Sequence, residues 1–162
     1  MTISRWGLAF AMALAVLGGA AQAEDRPHGQ ASRVEFAQSP LRVVTASGRG
    51  HAFTVELAET PDQLTQGLMF RTHMKADAGM LFHFGRPRPV SMWMKNTLIP
   101  LDMVFIDQTG RVVGIHAGAV PHSEAVISSP SPVLSVLELN AGTAARLGVK
   151  AGDRVEHPWF KH

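Results

Sequence analysis

The chain has 162 residues, 15 Lys and Arg against 13 Asp and Glu, and 46% hydrophobic residues. No run of five like charges occurs, so no nucleic-acid or polyanion partner is expected. Cysteine is absent, which removes disulfides, thiolate metal sites, thiol nucleophiles and any lipid-bearing cysteine.

Arg5 precedes the apolar run Leu8–Leu17, and Ala21-Gln22-Ala23 supplies the small-x-small pattern that a signal peptidase accepts. The run is shorter than the roughly 20 apolar residues that a membrane-crossing helix needs. The expectation is a signal peptide over residues 1–23, cleaved after Ala23. The mature protein is then periplasmic or secreted and has no stable membrane anchor. Glu24–Pro40 is polar, contains Pro and Gly, and reads as a flexible leader. A single domain over residues 41–158 is expected to follow.

Leu41–Thr45 reads as a strand, and Ser47–Gly50 as its turn. From His51 to Glu59, Phe53, Val55 and Leu57 alternate with Thr54, Glu56 and Ala58, the pattern of a half-buried strand. The period then changes. Thr60 is placed as an N-cap, Pro61 at the first helical position and Gln63 as the capping-box partner, predicting a short helix that ends near Phe70. Met80–Phe84 predicts a strand. Gly85–Pro89 predicts a loop, because two prolines remove backbone donors.

Val90–Lys95 predicts a strand with Ser91, Trp93 and Lys95 on one face and Met92 and Met94 on the other. Leu101–Ile106 and Arg111–His116 predict a hairpin joined by Asp107–Gly110. Gly118–Pro132 reads as a long irregular loop, Val133–Asn140 as an apolar strand carrying Glu138, and Gly142–Leu147 as one helical turn. Val149–Glu156 closes the domain with a Gly-Asp turn and a strand. About seven short strands with one or two short helices define a mainly β protein, a compact barrel or sandwich.

Gly79-Met80-Leu81-Phe82 and the run from Met92 through Lys95-Asn96-Thr97 to Asp102-Met103 resemble the bacterial and archaeal family called domain of unknown function 192. Glu59-Thr60, Gly67–Arg71, Val136–Leu139 with Ala141-Gly142, and Gly148–Val155 resemble its further segments in order. The resemblance implies a small, mainly β, commonly exported domain. It implies no catalytic residue, cofactor or substrate.

The polar residues set in apolar surroundings are Arg71, Lys95, Asn96, Asp102 and Glu138, with Trp93 at their edge. Asp102 shares a strand face with Val104 and Ile106; Glu138 shares one with Leu134 and Val136. A buried carboxylate must pair with a cation or shift its pKa upward, and Lys95 and Arg71 are the available partners. The expectation is that Arg71, Trp93, Lys95, Asn96, Asp102 and Glu138 bind a small polar molecule. The bland alternative is that Lys95–Asp102 and Arg71–Glu138 are structural ion pairs. Two rivals remain. One is an envelope hydrolase that uses Asp102 and Glu138 with Lys95 as acid and base. The other is copper handling through the thioethers of Met92 and Met94, against which stands the use of Met as core filling. No cofactor is called for, and oligomeric state is left open.

Overall fold

The computed structural model describes residues 34–160. Nine strands and two short helices follow in chain order: β1 (Gln38–Val44), β2 (Gly50–Ala58), α1 (Pro61–Gln66), β3 (Ala78–Arg88), β4 (Ser91–Met92), β5 (Leu101–Ile106), β6 (Val112–Ala119), β7 (Ile127–Ser128), β8 (Val133–Asn140), α2 (Thr143–Leu147) and β9 (Arg154–Glu156). The fold is mainly β, as the alternating patterns predict. The predicted signal peptide and most of the predicted leader lie outside the described residues. Gln38–Pro40, at the end of the predicted leader, are instead the first residues of β1 and pair with Thr54–Glu56.

Seven strands form one sheet in the order β6-β5-β8-β3-β2-β1-β9, and β4 and β7 pair separately. The two ends of that order approach each other. Val112 N–H donates to the Asp153 carbonyl at 2.8 Å and Val155 N–H to the Gly110 carbonyl at 2.7 Å. The sheet thus curls back on itself, which disposes of two unpaired edges. All its pairs are antiparallel except β2–β3, which is parallel because α1 and the segment after it carry the chain across.

The capping box predicted for α1 is present: Gln63 N–H donates to Thr60 Oγ1 at 3.3 Å, and Thr60 N–H donates to Gln63 Oε1 at 3.0 Å. The helix is shorter than predicted, since Gly67 ends it at φ 47° and Met69 and Phe70 lie beyond. A Cβ on Gly67 would lie 3.0 Å from the Phe82 ring, so the backbone turns here against an aromatic face.

Two predictions about prolines and methionines need correction. β3 runs on through Gly85 and Pro87 to Arg88, because a register shift between His83 and Arg88 releases the ladder where Pro has no donor. The strand predicted over Val90–Lys95 is only Ser91–Met92. Beyond it the chain turns, with Met94 N–H donating to the Ser123 carbonyl at 2.9 Å.

The sheet has an apolar cluster on each face. Leu81, Val104, Ile106, Leu137 and Leu139 belong to the first, with Leu41, Val43, Phe53 and Val55 from β1 and β2. Met80, Phe82, Met103, Phe105 and Val136 belong to the second, which Leu68, Val90, Met94 and Ile99 cover. Leu134 packs in the first cluster, although alternation placed it with Val136.

Asp102 lies on the first face and is fully buried. Its Oδ1 accepts from Gly118 N–H and its Oδ2 from Ala144 N–H, both at 2.9 Å. Each donor is an orphan of local geometry. Gly118, at φ 66°, sits where β6 slips register against β5. Ala144 is in the first turn of α2, whose N-cap Gly142 has no side chain to serve it. Asp102 therefore stands in for the missing cap and satisfies the bulge. Asp102→Ala should lower unfolding stability by about 2–4 kcal/mol, because the buried Ala144 N–H and the part-buried Gly118 N–H lose their acceptor. Urea denaturation reads this directly; a shift below about 0.5 kcal/mol, the range of ordinary surface changes, would contradict it.

Candidate functional site

Glu138 lies near the end of β8, between Met80 of β3 and Met103 of β5 in the ladder. Strand alternation turns it to the second face, opposite Asp102. It is 4% exposed, and among the described residues its carboxyl has neither a hydrogen-bond partner nor a cation. Burial alone raises its pKa from 4.5 to about 8, so at neutral pH the group is mostly a neutral acid.

The carboxyl lines a cavity of about 270 Å³. Leu64 to Met69 form one wall, Phe82 and Phe84 of β3 another, and Met92, Trp93 and Thr97 a third, with Arg88 also in the lining. The walls follow from local sequence. The glycine turn after α1 lets the backbone approach Phe82, and the slip in β3 carries Arg88 to where its guanidinium sits 5.1 Å from the Phe84 ring centre. Trp93 is 50% exposed, and Lys95 Nζ lies 5.5 Å from its ring centre.

The six residues expected to converge do so only in part. Glu138 and Trp93 line one cavity. Asn96 is adjacent: its carbonyl accepts from Phe70 N–H at 2.8 Å, and its Nδ2 lies 3.9 Å from the sulfur of Met69 in the cavity wall. Its φ of 56° is a left-handed conformation that Asn tolerates better than most residues. Lys95 is exposed, rests on Trp93 and does not reach Asp102. Arg71 pairs with Glu56 of β2, in a second cavity of about 290 Å³, and not with Glu138. Both expected ion pairs are thus absent. The cause is that Asp102 and Glu138 face opposite sides of the sheet, and backbone donors satisfy Asp102.

The same geometry bears on the rival readings. Asp102 and Glu138 cannot act on one substrate with Lys95 from opposite faces. Met94 is fully buried, whereas Met92 lines the cavity beside Met69, so Met92 and Met94 do not present a common pair of sulfurs to solvent. No cluster of three His, Asp or Glu residues suited to a metal occurs among the described residues.

One pair escaped the sequence reading. His157 is buried, and its Nε2 lies 3.0 Å from Ser39 Oγ. Trp159 N–H donates to its Nδ1 at 3.3 Å, which fixes the proton on Nε2. The imidazole therefore donates to Ser39 and cannot remove its proton in this tautomer. Burial, with His83 nearby, lowers the His157 pKa. The separation of Ser39 and His157 in the chain by 118 positions left no local signal to find.

These features define a small curled-sheet domain with a buried acid in the lining of a cavity that also carries aromatic side chains. The chain belongs to the family described as "Uncharacterized ACR, COG1430", domain of unknown function 192, whose profile matches residues 42–157. A crystal structure from Sinorhizobium meliloti 1021, named as a candidate transcription regulator, is 58% identical with a TM-score of 0.77; the match covers 79% of this chain and 99% of that one. A protein of unknown function from Novosphingobium aromaticivorans DSM 12444 is 42% identical with a TM-score of 0.72, covering 76% and 94%. No curated protein matches the chain.

Stability should carry two opposed pH dependences. Glu138 has a raised folded pKa, so its contribution is full below pH 4.5 and is lost as pH rises toward 8. Glu138→Gln, permanently neutral, should be more stable than wild type at pH 8 by roughly 2–4 kcal/mol, with the gap closing toward pH 4.5. His157 has a lowered folded pKa, so its contribution is full above about 6.5, the unfolded value, and is lost as pH falls below it. His157→Gln should flatten that acidic limb alone. Chemical denaturation from pH 4.5 to 8.5 measures both, and parallel profiles for wild type and Glu138→Gln would refute the first.

Proposed function

We propose that the protein is an exported binding domain whose cavity at Glu138 takes a small polar ligand. The observation that carries this reading is the carboxyl itself. A buried acid with no donor and no counter-charge lowers stability, and a sequence that only needed a packed sheet would place an apolar residue between Met80 and Met103. Destabilising features of this kind cluster where they serve a ligand. The surroundings support the same reading: aromatic and thioether walls, a few polar groups, and a volume suited to a metabolite smaller than a drug. Export rests on the sequence of residues 1–23.

Catalysis has less support. Among the described residues the cavity is lined by one carboxyl and no His, Lys or second acid, and its hydroxyls, those of Thr65, Ser91 and Thr97, form no hydrogen bond to Glu138. The regulatory role in the name of the Sinorhizobium relative would call for a nucleic-acid face, whereas this chain carries a formal charge of only +2.

Native mass spectrometry of the protein purified from its own envelope is the test. Wild type should retain a small molecule that Glu138→Leu loses, and Trp93→Ala should weaken its retention at least about tenfold, as removal of an aromatic cavity wall does. Equal retention by wild type and Glu138→Leu, or none by either, would overturn the assignment.

A further inference from the structure

The cations beside the cavity do not neutralise its acid. Arg88 is stacked on Phe84 and Lys95 on Trp93, and neither forms an ion pair among the described residues. Arg71, the cation nearest in sequence to the α1 wall, is taken by Glu56. The cavity lining thus combines opposites: a buried carboxyl and an exposed guanidinium, neither paired among the described residues, with aromatic rings beside them.

We propose that the ligand is a small zwitterion whose ammonium group enters first and pairs with Glu138, while its anionic group meets Arg88. This rests on the binding role proposed above and names the ligand class. An ammonium is the complement of a carboxylate that lacks donors, and the rings of Phe82, Phe84 and Trp93 favour a cation over a neutral amide or hydroxyl. An anion alone would meet Arg88 but would bring a second negative group toward Glu138. A neutral polar molecule would leave Arg88 unused. The volume of about 270 Å³ restricts the ligand to a few carbon atoms between its charges.

Pairing requires Glu138 to ionise, and its proton passes to solvent as the ammonium arrives. Around it, β3 contributes Met80 and Phe82, β5 Met103, the turn after α1 Met69, and the segment after β4 Trp93 and Thr97. None of these titrates. Arg88 is the other charged group in the lining. Glu138 therefore dominates any pH dependence of affinity.

Isothermal titration with three matched series tests the proposal: ω-amino acids of two to six carbons, the corresponding alkylamines and the corresponding fatty acids. At least one ω-amino acid should bind more tightly than its amine and its acid. Its affinity should rise about tenfold per pH unit between pH 6 and 7.5, with release of one proton seen as a dependence on buffer ionisation enthalpy. Glu138→Gln should weaken it more than tenfold. Arg88→Gln should weaken the ω-amino acid and leave the amine unchanged. Tighter binding of the fatty acids, indifference to Glu138→Gln, or silence from all three series would overturn the zwitterion class. In the last case, a small molecule retained in native mass spectrometry would leave the binding role standing and reassign its chemistry.

Discussion

A carboxylate inside an oily sheet must find donors or give up its charge, and this domain does both on adjacent strands. Asp102 on β5 finds donors: two backbone N–H groups that the bulge in β6 and the uncapped start of α2 would otherwise leave bare. Glu138 on β8 finds none among the described residues, and burial favours its protonated form instead. One residue ties three segments into the fold, while the other opens a chemical vacancy on the reverse face. Both outcomes follow from alternation, which sends neighbouring acids to opposite sides of the same sheet.

The distinction was only half legible in the sequence. Alternation places Asp102 with Val104 and Ile106, and Glu138 with Leu134 and Val136; the structure keeps all of these but Leu134, which packs on the opposite face. Alternation could not say what each acid would meet. The partners of Asp102 are backbone groups of Gly118 and Ala144, which no side-chain pattern advertises, whereas the pattern does advertise Lys95. Arg71 stands out as a partner for Glu138 for the same reason. Yet the parallel register of β2 and β3 sets Glu56 beside Met80, and the turn after α1 delivers Arg71 there.

Local signals were read more successfully than tertiary ones. The capping box of α1 and the turn of the β5–β6 hairpin rest on contacts a few residues apart, where residue type and spacing suffice, and the span of β8 follows from its unbroken apolar run. The boundaries that moved have tertiary causes. β3 continues through Pro87 because its pairing with β8 slips there, and β1 begins at Gln38 because β2 is long enough to pair with it. The segment after Met92 turns away because Ser123 of a distant loop accepts its hydrogen bond. Met92, the last residue of β4, and Trp93, the first beyond it, both line the cavity.

The antiparallel pairing of β1 with β9 joins the two ends of the domain, with Arg42 and Glu156 separated by 114 positions yet in hydrogen-bond contact. A chain that emerges from a ribosome or a translocation channel amino end first offers β1 long before its last neighbour exists. The curled sheet can therefore zip shut only when nearly the whole polypeptide is free. Until then one flank of β1 stays open, so the topology sets closure of the sheet late in folding.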